Sequence, residues 1–570
     1  MRKHVSALLQ VAFRRQVLSK PVGRRRVFSS VAQLVSADPE AWNAARAVAR
    51  GGPQILIATT VTGFNHATTV ESVLGAALTL RGAEVHYLVC DAALPGCLRA
   101  ESDNVPSIEF FEQYRLPEKI CGSCMAQGRE LYEPLGLPIH RLGEMITSDE
   151  RCEAQELAGS IPCAELRDFT LEGLAIGEHA YAGALRYFAR GDVENVSSSE
   201  IVIRRYLEAS ILTVRGVRRL LDRCSDVRAA AFHHGIYVPQ GLTGEVCRER
   251  GIPVVNWNPS YRKNTFIFSH GDSYHHTLMD EPVETWTSMP WSHAQEAEIV
   301  SYLRSRWTGA RDWIWFHEKP DEDFEKYAAE ASLDRRKPTI GMLTNVMWDA
   351  QLHYPANAFS GMLEWTIETI RYFQRRPELQ LLIRAHPAEI RGTAPSKQPI
   401  VAEIAKVFPK LPSNVFIIPP ESSVSTYAAM AECDSVIIYG TKTGVELTSA
   451  GTPVIVGGEA WIRNKGLTMD AHSREEYFAF LERLPIGNRL EPETITRARK
   501  YAYHFFFRRM IPLPFVVPET GKIYSLMLSS LDDLATGRYP GLDVICDGIL
   551  NGSSFVYQAE RFGLHDRQPA

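Results

Sequence analysis

From residue 338 to residue 456 strand-length apolar runs alternate with helical patterns: strand 338–344, helix 359–376, strand 379–385, helix 400–407, strand 414–418, helix 424–432, strand 434–439, helix 443–450 and strand 453–456. A strand that returns to its neighbour through a helix can only lie parallel to it. The pattern therefore dictates a parallel sheet covered by helices on both faces. In such a sheet the carboxyl ends of all strands share one edge, and ligands bind in the crevice outside that edge.

A second unit of the same kind precedes it. QILIA (54–58) reads as a strand, 69–81 as a helix and 85–89 as a strand; after a mostly helical stretch, 149–221, come strand 228–232, helix 241–250 and strand 253–257. Between about 283 and 335 the periodicity is helical and broken, which marks a connection rather than a sheet. The expected fold class is thus α/β, with two Rossmann-like domains facing a central cleft, and neither half carries a GxGxxG turn. The divisions expected are 1–50, 51–300, 301–335, 336–485 and 486–570. In the last, 491–510 reads as a long helix that crosses back onto the first domain, meets a membrane surface or simply packs.

A chain of 570 residues is too long for one core, which suits this arrangement. A net charge of -5 gives no global attraction for nucleic acid, so an anionic ligand needs a local site. No apolar run approaches the roughly 20 residues of a membrane-spanning helix. The ten cysteines are unevenly spaced and follow no secretory signal, which favours a reducing cytoplasm over a disulfide framework. Residues 1–37 hold eight Lys or Arg and no acid, forming a basic arm. Its apolar residues suit peripheral contact with an anionic membrane face; a packed tail and a transit peptide are the alternatives.

Two segments carry the chemistry of the second half. In LLIRAHPAE an apolar strand ends in Arg384, His386 and Glu389, placing a fixed cation and a hydrogen-bond donor at the ligand edge, where they could neutralise a departing phosphate. In SVIIYGTKTGVE a strand runs into Thr441, Lys442, Thr443 and Gly444 and then a helix carrying Glu446. A helix start offers unpaired N–H groups to an anion, the glycine allows close approach of backbone to ligand, and Glu446 is placed to accept from ribose hydroxyls. Each segment also has an ordinary reading as a strand end or a capped helix.

Taken in order, RAHPAE and then ESSVSTYAAMAECDSVIIYGTKTGVELTSAGTPVIVGGEAWIRNKGLT (421–468) resemble the capsule polysaccharide biosynthesis glycosyltransferases, which include the bacterial Kdo transferases. The resemblance covers about 130 residues. It departs from the family at Gly440–Thr443, where an Asn-Ser-Thr type of turn is frequent. It implies a GT-B fold, a CMP- or UDP-linked nucleotide-sugar donor, and contacts to its phosphate from His386 and from Ser422, Ser423 or Ser425. The first domain would then hold an oligosaccharide or glycolipid acceptor. Glycerophosphotransferases, sugar-nucleotide 2-epimerases and non-catalytic carbohydrate-assembly proteins share the architecture and stay open as alternatives.

An acceptor hydroxyl needs a group to take its proton. His66, His233 and His234 follow strands of the first half, and Asp91 is the carboxylate alternative. The same half gathers Cys90, Cys97, Cys121 and Cys124, the last two as CxxC. Four thiolates suit a structural zinc first and an iron–sulfur cluster second, while a free, packed Cys90 is the plain alternative.

Overall fold

The computed structural model describes residues 27–113, 116–307, 309, 311–313, 320–350, 352, 357–392, 394–519 and 524–564. The strands, in chain order, are β1 (Gln54–Thr60), β2 (Glu84–Val89), β3 (Ile139–Arg141), β4 (Val227–His233), β5 (Val254–Pro259), β6 (Thr265–His270), β7 (Thr339–Leu343), β8 (Gln380–Arg384), β9 (Val415–Ile418), β10 (Ser435–Ile438), β11 (Val454–Val456), β12 (Met469–Asp470) and β13 (Ile511–Pro512). They form two main sheets. The first has the order β13-β6-β5-β4-β1-β2-β3 and the second β12-β11-β10-β7-β8-β9.

The second sheet is parallel throughout, as the alternation requires. Its central strands are apolar and buried on both faces because helices cover each side. The first sheet is parallel from β5 to β3 and antiparallel at β5–β6 and β6–β13. Sequence reading missed β3, β6, β12 and β13. β3 is three half-exposed residues, too short for a period, and β6 lies in a stretch whose polar SHGDSYHH end reads as a loop.

The helix Asn65–Leu80 is buried along nearly its whole length. It lies on β1 and β2, and its outer face is covered from both ends of the chain. Helices Val31–Ala37 and Pro39–Ala49 pack against it from one side and Pro540–Asn551 from the other. Trp42 Nε1 donates to the Leu135 carbonyl at 2.8 Å, and Arg81 on the far side pairs with Asp543 at 2.6 Å. Residues 27–50 thus belong to the first domain rather than to a separate arm. The basic residues Arg2 to Arg26, on which the expected membrane contact rests, lie outside the described residues. Among the described residues no helix is long and apolar enough to cross a membrane.

The chain then ties the domains together. Helix Pro492–Tyr503 packs on helix Thr443–Ser449 of the second domain, continues through a wider turn at His504–Arg508, and delivers β13 to the edge of the first sheet.

Midway along Asn65–Leu80 sits Glu71, fully enclosed. Tyr132 Oη and Trp257 Nε1 donate to its carboxylate at 2.8 and 3.3 Å, and Thr59 Oγ1 also donates to it. Burial outweighs these donors and raises its pKa from 4.5 to about 7. Between those values the folded chain keeps a proton that the unfolded chain has lost. Stability therefore falls as pH rises through that interval, by up to about 3 kcal/mol. Glu71→Gln should flatten this slope in thermal denaturation measured across the same interval; an unchanged slope would show that Glu71 is already ionised in the folded state.

Candidate functional site

A cavity of about 420 Å³ opens between the two sheets. From the second domain it is lined by residues that follow β7 (Thr344, Asn345), β8 (Arg384, His386), β10 (Gly440 to Thr443) and β11 (Glu459, Trp461). All are at the carboxyl edge of a parallel sheet, where the topology puts a ligand. From the first domain come His234 after β4, Pro259 to Tyr261 at and after β5, and Tyr274 and His275. Trp461 reaches across the gap to Tyr274 and His275, with ring centroids 5.5 and 5.6 Å away. Lys465 crosses as well, donating to the carbonyls of Met279 and Glu281 at 2.8 Å each; its burial lowers its pKa to about 8.

The strand-end pair Arg384 and His386 is at the cavity wall, with unlike roles. Arg384 is 1% exposed; its guanidinium donates to the carbonyls of Pro419 and Ser422 and to Thr426 Oγ1, holding the turn before helix Thr426–Ala431. Burial lowers its pKa to about 10, so it stays charged at neutral pH beneath the cavity floor. In His386 the Nδ1 atom accepts the Ala388 N–H at 3.1 Å, which places the ring proton of the neutral form on Nε2. Glu389 turns away from the cavity. Its carboxylate is buried and accepts the Ile400 N–H that opens the next helix, and burial raises its pKa to about 7.

Of Ser422, Ser423 and Ser425, expected on the phosphate, the hydroxyls of Ser422 and Ser425 are used inside the protein, while Ser423 is exposed and gives its backbone carbonyl. Ser422 Oγ accepts from Val424 N–H, the Ser423 carbonyl accepts from Asp321 N–H, and Ser425 Oγ caps helix Thr426–Ala431 through Ala428 N–H. Thr426 and Tyr427, one step further, are the residues of this turn that line the cavity.

Thr441, Lys442 and Thr443 line it too, but the helix behind them, Thr443–Ser449, is only seven residues long, and the Thr443 N–H is accepted by Thr441 Oγ1. Gly444 is required for packing rather than for ligand approach, because a Cβ there would stand 2.7 Å from Ile438 Cδ1 and 3.0 Å from Ile462 Cγ2. Glu446 is likewise committed elsewhere. Its Oε1 pairs with Lys442 Nζ at 2.8 Å and Arg306 Nε at 3.1 Å, and Arg306 also pairs with Asp312. Burial pushes the Glu446 carboxyl up, yet the two cations hold it down at about 2. It is thus an ionised partner of Lys442, not a ribose ligand. Lys442 Nζ stands 4.8 Å over the Tyr261 ring at the cavity edge.

On the other side, three of the four acceptor-side candidates are not cavity residues. His66 and His233 are buried and meet edge to face, centroids 5.1 Å apart, against Phe64 and Trp257. Asp91 accepts the Gly143 N–H at 2.7 Å and anchors the loop after β3. His234 does line the cavity. Its ring lies tilted against Tyr237, centroids 4.8 Å apart, in a left-handed backbone conformation (φ 72°), and its Nδ1 is buried without a hydrogen-bond partner. Burial, helped by His275, Arg186 and His66, pushes its pKa well down, so the ring is neutral. The signal for it was present in His233-His234-Gly235; which histidine faced out was not.

Cys90, Cys97, Cys121 and Cys124 do converge, around a separate small cavity in the first domain. Sequence reading missed a second cluster altogether: His86 Nδ1 and His140 Nε2 lie 2.9 Å apart, with Cys224 Sγ 3.9 Å from the latter. These residues come from β2, β3 and the end of helix Ser199–Arg223, far apart in sequence.

Two Rossmann-like domains facing a central cleft, with a final helix that passes from the second back to the first, make the GT-B arrangement. No family model and no curated protein matches the sequence. Similar solved structures include KpsC of Thermosulfurimonas dismutans, a β-Kdo 2,4 transferase, at 12% identity over 48% of this chain and 79% of that one, TM-score 0.32. The UDP-GlcNAc 2-epimerase of Neisseria meningitidis bound to UDP-GlcNAc is similar at 9% identity over 79% and 95%, TM-score 0.23. The glycotransferase of kitacinnamycin is similar at 11% identity over 79% and 94%, TM-score 0.23. At these values the architecture rests on the two sheets themselves.

Removing one partner from a buried ion group leaves the others uncompensated. Glu446→Gln should destabilise the protein by about 3 kcal/mol in chemical denaturation. A loss near zero would mean that Lys442 and Arg306 find no charge there.

Proposed function

We propose that this protein is a glycosyltransferase that moves a sugar from a nucleotide-sugar donor to a polysaccharide or glycolipid acceptor. The observation that carries the reading is His386: an imidazole whose Nδ1 accepts the Ala388 N–H, which leaves Nε2 as the donor, on the wall of the interdomain cavity that Thr441, Lys442 and Thr443 also line. In this reading the nucleotide phosphates lie against these residues over the charged Arg384. The aromatic group Trp461, Tyr274 and His275 offers flat faces to base or sugar.

Transfer forms a bond from an acceptor oxygen to the anomeric carbon and breaks the bond from that carbon to the phosphate oxygen. Negative charge develops on the leaving phosphate, where a donated hydrogen bond from His386 and the charges of Lys442 and Arg384 favour it. The acceptor proton goes to the imidazole of His234, which lines the cavity on the opposite domain. A CMP- or UDP-linked donor fits this chemistry equally. Action at the cytoplasmic face of a membrane, through the basic residues before 27, belongs to the same proposal.

His386→Ala should lower transfer by about 10²–10³-fold with an unchanged melting temperature. His234→Ala should lower turnover by about 10²–10⁴-fold while leaving nucleotide binding, read by thermal shift with UDP and CMP, intact. Wild-type turnover in the His386 variant would sink the assignment. Release of a 2-epimerised sugar nucleotide without transfer would replace it with the epimerase reading.

A further inference from the structure

The four cysteines of the first domain are not explained by glycosyl transfer. Cys90 follows β2, Cys97 closes the next loop, and Cys121 and Cys124 lie one turn apart on helix Glu118–Tyr132. They line one cavity, whose remaining wall is apolar (Val61, Leu94, Leu116 and Ile120 among it) apart from a single cation, Arg99.

Donors are aimed at the sulfurs. The N–H groups of Ala93 and Leu94 point at Cys90 and that of Arg99 at Cys97. The Arg99 guanidinium gives Nη1 to the Gly63 carbonyl at 2.8 Å, whereas its Nε–H is buried with no hydrogen-bond partner. As free thiols these groups would be poor acceptors for so many donors.

The spacing of the sulfurs selects the kind of metal. Among the described residues no three of the four sulfurs lie within 4.8 Å of one another. Four thiolates on one zinc ion, with bonds of about 2.3 Å, would stand closer together than that. A polynuclear centre holds its four thiolates further apart and takes N–H hydrogen bonds on its sulfurs. We propose that Cys90, Cys97, Cys121 and Cys124 ligate an iron–sulfur cluster in the first domain, in place of the zinc that their spacing first suggests.

The centre would brace the loop after β1. Thr62 Oγ1 donates to the Cys124 carbonyl at 2.5 Å, and Arg99 holds Gly63 in the same loop. The test is independent of transferase activity. The full chain is purified without oxygen, reconstituted with ferrous iron and sulfide, and assayed for iron, labile sulfide, zinc and visible absorption. Iron and labile sulfide are expected in equal amounts, about two or about four of each per chain, with a visible band bleached by dithionite. Cys121→Ser and Cys97→Ser should lose the band, and Cys224→Ser should keep it. Should the first two fail to fold, Arg99→Ala should keep the iron but shift the reduction potential. Stoichiometric zinc without iron, or no iron after reconstitution, overturns the proposal.

Discussion

One guanidinium is shared by every part of this protein. Arg306, on the connection between the domains, is 5% exposed and cannot lie there unpaired. It pairs with Asp312 in the connection and Glu446 in the second domain, and lies over Tyr261 of the first domain and Phe506 of the crossing helix, 5.5 and 5.2 Å from their ring centroids. The charge is thus held between Glu446 of the second domain and the Tyr261 ring of the first. Through Glu446 the same group fixes Lys442 at the cavity edge, so the interaction that joins the domains also places a cation of the site.

Around that centre the chain is woven rather than strung. β13 comes from the last sixty residues, yet it completes the first sheet, and the helix Pro540–Asn551 covers the helix on which β1 and β2 rest. Lys465 adds a further bridge between second-domain backbone and the carbonyls of Met279 and Glu281. Closure of the cleft on a ligand would have to proceed around these fixed points. The apolar strands behind them give a rigid base on which the loops of the carboxyl edges are set.

Much of the site's vocabulary proved to be internal bracing. Arg384, Glu389, Ser422, Ser423, Ser425, Gly444 and Glu446 all stand in or near the expected segments, but each side chain or backbone is spent on a cap, a turn, a close helix contact or an ion pair. Helix starts and strand ends carry unsatisfied backbone groups, and polar residues there serve the chain first. Of the expected residues of this half, Arg384, His386, Thr441, Lys442 and Thr443 line the cavity.

The sequence by itself determined the two sheets, because strands and helices that alternate leave a parallel arrangement as the one way to bury the strands. It also determined which edge of the second sheet faces the cleft, and so the neighbourhood of His386 and Lys442. It did not determine β3, β6 or β13, which are short or lie far from their partners in the chain. Nor could it tell His234 from His233 and His66: neighbouring residues at a strand end point in opposite directions, and one left-handed turn decides which is buried. Only the tertiary structure brought Cys90 and Cys97 against Cys121 and Cys124, since two loops and a helix start meet there through packing that no local spacing encodes.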